Sequence, residues 1–539
     1  MRKSDSRLAF LLLPLLIFHS LSEPESAIAP MEKTERDALY RVIQGFVGRS
    51  WNGSDLYPDP CGWTQIQGVS CDLFDGLWYV TAISIGPILD NSLECAEEAE
   101  FSPLVFQLEH LKSLSIFSCF SSRRQTIIPT SNWENLAENL ETLELRSNRG
   151  YVGEIPADLG QLRNLQSLVL VQNSLVGKLP MELGNLIHLK RLMLSGNQLS
   201  GTIPASLCNN LAELLILDLS RNSLTGSLPS SLCNATSLLK LDLSNNQLHG
   251  SLPPELGNLR HLTLLDLRNN SLSGASSKSL LGMESIQDLL LSHNPWGGSI
   301  VEFDWENLRN LTTLDLSHMG LTGTIPEAIA SLKRLRYLAL DNNHLSGSVF
   351  SELAALPSLN ALYLNGNNLT GELGFPERFY RRMGKKFASW DNPNLCYNAV
   401  AVATGNVPYG VAQCKQDREP STFDDSISNG RGDNGNLDKN SAPLILLSVQ
   451  ASETGIQSHI RNRLPLTYTV DQKIRSIMNL RIRTVDGRFA TALWPVVLWT
   501  IYLIAFLRGV LTLSIPQERS VTVEQSLRLR YPSFRLCVS

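Results

Sequence analysis

Leu238-Leu-Lys-Leu241-Asp-Leu243-Ser-Asn-Asn246-Gln-Leu248-His-Gly250-Ser-Leu252-Pro253 is the stretch that decides the fold. In Leu241-Asp242-Leu243 two leucines flank a polar residue, the pattern of a strand with one buried face. The same pair of apolar positions returns over 111–369, after a first interval of 29 residues and then every 24 or 25: Leu114/Ile116, Leu143/Leu145, Leu168/Leu170, Leu192/Leu194, Leu217/Leu219, Leu265/Leu267, Leu289/Leu291, Leu314/Leu316, Leu338/Leu340 and Leu362/Leu364. A marker Asn follows each pair, at 148, 173, 197, 222, 246, 270, 294, 343 and 367; Met319 takes that slot once and Cys119 opens the series. Eleven coils result, and Val80-Thr-Ala-Ile83-Ser-Ile85 adds one before them. One coil cannot bury its leucines alone, whereas stacked coils share a continuous core and present one long concave surface. Each marker Asn is expected to turn inward, because a buried amide needs partners and neighbouring loop backbones supply them.

The period and its wording predict an α/β leucine-rich-repeat solenoid of about 11–12 coils. The second half of the unit reads G-x-I-P-x-x-L-G-x-L, as in Gly153-Glu-Ile155-Pro156-Ala-Asp-Leu159-Gly160-Gln-Leu162. It recurs around Pro180, Pro204, Pro229, Pro253 and Pro326, and this signature resembles the plant-specific class of extracellular receptors. The wording lapses at 274–281, 297–307 and 347–357, so those coils are expected to have an altered convex side.

Both ends resemble the caps of that class. Trp51-Asn-Gly-Ser-Asp-Leu-Tyr-Pro-Asp-Pro-Cys61-Gly-Trp63 through Cys71-Asp72 matches the N-terminal cap, led by an amphipathic helix over 34–47. Asn392-Pro-Asn-Leu-Cys396 through Cys414 matches the C-terminal one. The segment from Glu32 to Val47, Ser70-Cys-Asp-Leu-Phe-Asp-Gly-Leu-Trp-Tyr-Val80, Asp391 to Tyr397 and Val407-Pro-Tyr-Gly-Val411 are similar to the Piriformospora indica-insensitive protein group, itself related to the receptor-like protein TOO MANY MOUTHS. The resemblance implies a kinase-less cell-surface protein in plant signalling, linked to the response to a root-colonising fungus. It also implies disulfide caps, pairing Cys61 with Cys71 and Cys396 with Cys414. Cys95 with Cys119 then ties the N-terminal loop to the first coil. Cys208 and Cys233 both follow a marker Asn by eleven residues and stand about 5 Å apart at strand spacing, either bridged or as two buried thiols. Cys537 is left over.

Net charge is −5, and the mildly acidic body argues against nucleic acid as partner. Arg2, Lys3 and Arg7 precede an apolar run over 8–21, so 1–22 reads as a secretory signal; an uncut anchor is the other reading. The remaining divisions are a cap over 30–79, solenoid over 80–391, cap over 392–414, a polar linker over 415–489, a candidate transmembrane helix over 490–507 and a basic tail over 508–539. Arg431-Gly-Asp433 lies in the linker, where three matching residues carry little information. Secretion makes five N-x-[ST] sites surface glycan acceptors: Asn52, Asn234, Asn269, Asn310 and Asn368. A glycan on Asn269, beside a strand, blocks part of the concave face.

The sequence carries no kinase signature, and no catalytic residue, cofactor or metal is assigned. His293 and His318 are expected to neighbour each other across coils, with Asp315 close, as exposed polar residues of a binding face. Asp218, Asp242, Asp266 and Asp315 form a ladder; a calcium site and plain repeat grammar are its two readings, and L-D-L-S wording favours the second. The concave face then offers two binding patches. One comprises Asp218, Arg221, Lys240, Asp242, Asp266 and Arg268; the other comprises Tyr337, Asp341 and Tyr363. The expected function is non-enzymatic binding of a peptide or protein ligand at the plasma membrane, with signalling through a receptor kinase ectodomain. A secreted inhibitor of a microbial wall-degrading hydrolase is the alternative.

Overall fold

The computed structural model describes residues 30–87, 93–121, 123, 125–207, 209–275, 279–280, 282–399 and 407–415. The signal segment, the linker beyond 415, the apolar run over 490–507, the basic tail, Cys208 and Cys537 lie outside them.

The period-two leucines do what their pattern dictates. Leu217, Leu241, Leu265, Leu289, Leu314, Leu338 and Leu362 lie in direct register along one parallel sheet. They are fully buried, as are the second leucines from Leu219 to Leu364. At about 4.8 Å per strand, the stacked leucines make one continuous hydrophobic rod. The sheet has fourteen strands. The first, β1 (Val69–Phe74), runs antiparallel to β2 (Leu77–Ile85). From β2 onward every neighbour is parallel, through the eleven expected coils to a short final strand, Phe387–Ala388. The N-terminal coil is thus present. The final strand is an addition, because its core positions carry Phe387 and Ser389 instead of leucines.

The marker asparagines turn inward. Asn246 Oδ1 accepts from the Leu224 N–H of the preceding coil, and Nδ2 donates to the carbonyls of Leu219 and Leu243. Asn270, Asn294, Asn343 and Asn367 repeat the arrangement. Asn343 also serves Met319, accepting from both the Met319 and Leu321 N–H groups at 3.0 Å. Asn392, assigned by sequence to the cap, is the last member of this ladder, bridging the Leu369 N–H and the Leu364 carbonyl. The residue before each marker is left-handed, from Ser118 (φ 53°) to Asp391 (φ 53°), which turns the chain off the sheet.

On the convex side five of the Leu/Ile-Pro pairs place an extended residue before a 3-10 turn: Ala157–Gln161, Met181–Asn185, Ser230–Asn234, Pro254–Asn258 and Glu327–Ser331. Gly160 is required there, since a Cβ would stand 2.4 Å from the Glu182 carbonyl oxygen of the next coil. The coil over 297–307 departs as expected. Two short turns, Ile300–Glu302 and Trp305–Asn307, replace one, and Trp305 fills the core. The coil over 347–357 does not. Its turn, Ser351–Ala355, persists because Phe350 adopts the extended φ of −76° that Pro would have imposed. The coil over 274–281 falls partly outside the described residues.

Helix α1 (Lys33–Val47) closes the N-terminal end with buried Ala38, Leu39, Val42, Ile43 and Phe46. Its Glu35 carboxylate is also buried and accepts from the Val80 N–H at 3.0 Å. The three expected disulfides are present: Cys61 with Cys71, Cys95 with Cys119 and Cys396 with Cys414. Cys233 is a buried free cysteine. Among the described residues no helix is long and apolar enough to cross a membrane.

Candidate functional site

Strand register converts the sequence into columns on the concave face. The position between the two core leucines gives Val169, Met193, Asp218, Asp242, Asp266, Leu290, Asp315, Ala339 and Tyr363 on successive coils. The position before the first leucine gives Arg191, Ile216, Lys240, Leu264, Asp288, Thr313, Tyr337 and Ala361.

The acidic ladder is real, but its carboxylates are less open than alternation alone suggests. Asp218, Asp242 and Asp315 each accept from the N–H and hydroxyl of the serine two residues on. This local bonding is the physical content of the L-D-L-S wording. Asp266 has Arg268 in the serine's place, and the guanidinium grips it at 3.0 Å and 2.6 Å. Asp266 and Asp315 are consequently only 4% and 8% exposed. This corrects the expectation that strand-central residues face solvent: a side chain two positions on, or Ser292 of the adjacent coil in the case of Asp315, lies against them. Burial, more than the flanking Asp266 and Asp218, pushes the Asp242 carboxyl up to about 6. Arg268 is held firmly protonated by its bonds to Asp266.

Lys240 is exposed on its strand, whereas Arg221 is in the left-handed position (φ 54°), on the rim beside the sheet. The first patch therefore consists of Lys240 and half-buried Asp218 and Asp242, beside a neutralised Asp266 and Arg268 pair. In the second patch Tyr337 and Tyr363 lie 5.6 Å apart between ring centroids. Burial raises the Tyr337 phenol to about 12 and also raises the Asp341 carboxyl. His293 and His318 are neighbours as expected; their rings stack at 4.2 Å, and burial together with His318 lowers the His293 pKa. Among the described residues no group of three His, Cys, Asp or Glu is placed to hold a metal ion.

The columns also carry charged residues outside both expected patches. Glu144 takes Arg146 at 3.0 Å and Arg191 at 4.0 Å, giving the first coils their own ion network. A polar cleft of about 200 Å³ runs beside those coils, lined in part by Glu141, Gln166, His188, Lys190 and Glu213. Its groups bond one another, Lys190 to Gln166 at 2.9 Å and Gln166 to Glu141 at 3.3 Å. Of the sequons, Asn52, Asn234 and Asn368 are exposed away from the concave face. Asn310 bonds the Glu284 carbonyl and Arg334. Asn269 stands exposed on the concave rim, donating to Asn245 at 3.1 Å.

A curved sheet with one buried leucine face, an inward asparagine ladder and disulfide caps defines a leucine-rich-repeat ectodomain of the plant type. The family described as "Leucine-rich repeat region" matches residues 110–390, and the chain belongs to that family. It is similar to "Piriformospora indica-insensitive protein 2" of Arabidopsis thaliana, with 56% identity over 28% of this chain and 35% of that protein. "Receptor like protein 29" is 35% identical over 31% of this chain and 36% of its own length, and "Protein TOO MANY MOUTHS" 36% identical over 26% and 27%, both from the same plant. The chain thus spans about a third of the curated relatives it matches. Among solved structures, "Crystal structure of PEPR1-AtPEP1" is similar with a TM-score of 0.56 and 30% identity, covering 68% of this chain and 49% of the other.

Proposed function

We propose that this chain is a non-enzymatic, glycosylated receptor-like protein of the plant cell surface. Its concave sheet binds a peptide or protein partner, and the signal passes to the cytoplasm through the ectodomain of a partner receptor kinase. The setting is the response to root-colonising microbes or defence, and the segment over 490–507 holds the chain at the plasma membrane. The observation that carries the reading is the concave face itself. It is one continuous surface whose half-buried acids, stacked imidazoles and paired phenols do no work for the leucine core. Half-desolvated polar and aromatic groups of this kind are what a binding face uses for affinity and specificity. Similarity to a protein named as receptor-like and to one named for insensitivity to a root fungus supports the setting.

The test is recovery of the tagged full chain from root membranes. The expected result is retention after carbonate washing and cross-linking to a receptor kinase ectodomain, with a chain ending at Asp438 released in soluble form. Full-length chain found only in the soluble extracellular fraction, without a kinase, overturns the proposal.

A further inference from the structure

We propose that the C-terminal part of the concave sheet is a subsite for a basic side chain of an extended peptide, arginine above lysine. This rests on the reading that the concave face binds a peptide or protein. The subsite is centred on Ala339, the short residue of its column. In register with it, one coil before, is Asp315; one coil after is Tyr363. Along its own strand it is flanked by Tyr337 and, past the second core leucine, by Asp341. Ala339 is 1% exposed and Ala361, next to Tyr337 in its own column, 8% exposed, so the longer side chains around these two methyl groups, Tyr337, Tyr363 and Asp341, provide the surface that a ligand meets.

The chemistry of the rim is selective. The two phenol rings are 5.6 Å apart and tilted by 50°, offering faces to a flat cation. Asp341 is half-buried, and its carboxylate accepts from Asn342 Nδ2 at 2.7 Å. Neither Asp341 nor Asp315 has an ion-pair partner among the described residues; Asp315 is buried and bonded by Ser317 and Ser292, so it adds negative charge beneath the site while Asp341 is the acid that a ligand can touch. Two coils before Asp315, in the same column, the chain shows what such an acid takes. Asp266 binds the Arg268 guanidinium through two nitrogens at 3.0 Å and 2.6 Å. At Asp315 the residue two positions on is Ser317, and at Asp341 it is Asn343, whose amide is spent on the backbone ladder. A guanidinium there has to come from outside the fold.

The neighbouring histidines fit the same ligand at neutral pH. His293 and His318 are stacked, and with burial and mutual repulsion the His293 ring stays neutral and does not oppose a cation. Acidification protonates Asp341, whose carboxyl is already raised by burial, and removes the negative charge that faces the ligand. Capture is therefore expected to weaken as pH falls.

The experiment selects a random dodecapeptide phage library on the immobilised full chain at pH 7. Affinities of the selected peptides are then measured for wild type, Asp341→Asn, Tyr363→Phe, Tyr363→Ala and the convex-face control Glu327→Gln, with thermal melting of each. The expected result is enrichment of arginine, then lysine, and release at pH 5. Asp341→Asn and Tyr363→Ala should lose about tenfold or more in affinity, Tyr363→Phe little, and Glu327→Gln none. Enrichment of acidic or apolar sequences, or full affinity in Asp341→Asn, overturns the subsite. Peptides whose capture is lost in Asp242→Asn but kept in Asp341→Asn also overturn it while leaving concave-face binding standing. A library with no selected peptide brings down both.

Discussion

The single residue that most constrains this molecule is the marker asparagine. Asn246 makes one bond as acceptor and several as donor within the buried turn, so Asn246→Ala strands backbone groups of two coils. That costs about 1–3 kcal/mol per unsatisfied group, read as a lower midpoint in chemical denaturation; an unchanged midpoint would show the ladder to be ornamental. Glu35 supplies a pH dependence. Its pKa is raised to about 7 from 4.5 by burial, against the opposing Val80 N–H bond. A raised carboxyl stabilises below its unfolded value and loses that contribution as pH rises through the folded one. The N-terminal cap should therefore hold best near pH 4.5 and weaken toward 7. Glu35→Gln, which keeps an acceptor, should flatten the melting temperature across that window. At this scale the sequence was readable where geometry is binary. Period-two alternation says which way Asp266 points; it does not say that Arg268 will lie across it.

At the scale of elements, closure of the ends matters more than any one coil. The Cys61 to Cys71 bridge joins the loop after α1 to β1, the strand that shields the first coil. Cys61→Ser should cost about 2–5 kcal/mol and appear as retention in the secretory pathway with low surface abundance. Normal trafficking of that variant would argue that α1 alone seals the end. The elements also show where pattern reading stops. The coil over 347–357 keeps its turn without Pro, since Leu353 is buried and Phe350 supplies the extended backbone. Proline only pre-sets that conformation. The final strand escaped detection because its core residues, Phe387 and Ser389, share no type with the leucines they stack on, while Asn392 still carries the ladder. Burial and hydrogen-bonding role were kept there, and residue identity and volume were not.

Across the whole molecule the decisive property is that each coil touches only its neighbours, so stability is a sum of local terms and nearest-neighbour interfaces. Leu243 is fully buried, with Leu219 and Leu267 in the equivalent positions of the coils on either side. Leu243→Asp places a charge in that shared core, a change whose cost far exceeds the loss of a leucine's packing at about 2–5 kcal/mol. In a globule with one central core such a change is felt everywhere. Here the damage should remain graded along the axis. Hydrogen exchange should quicken most in Ile216–Asp218, Lys240–Asp242 and Leu264–Asp266, and least in Thr142–Arg146 and Ala361–Tyr363. The Tyr337 and Tyr363 patch should then still form when the first patch is lost, and a partner bound only there should still be captured. Equal loss of protection in all five strands would mean that the solenoid folds as one cooperative unit, and that no variant of the central coils can separate the two patches.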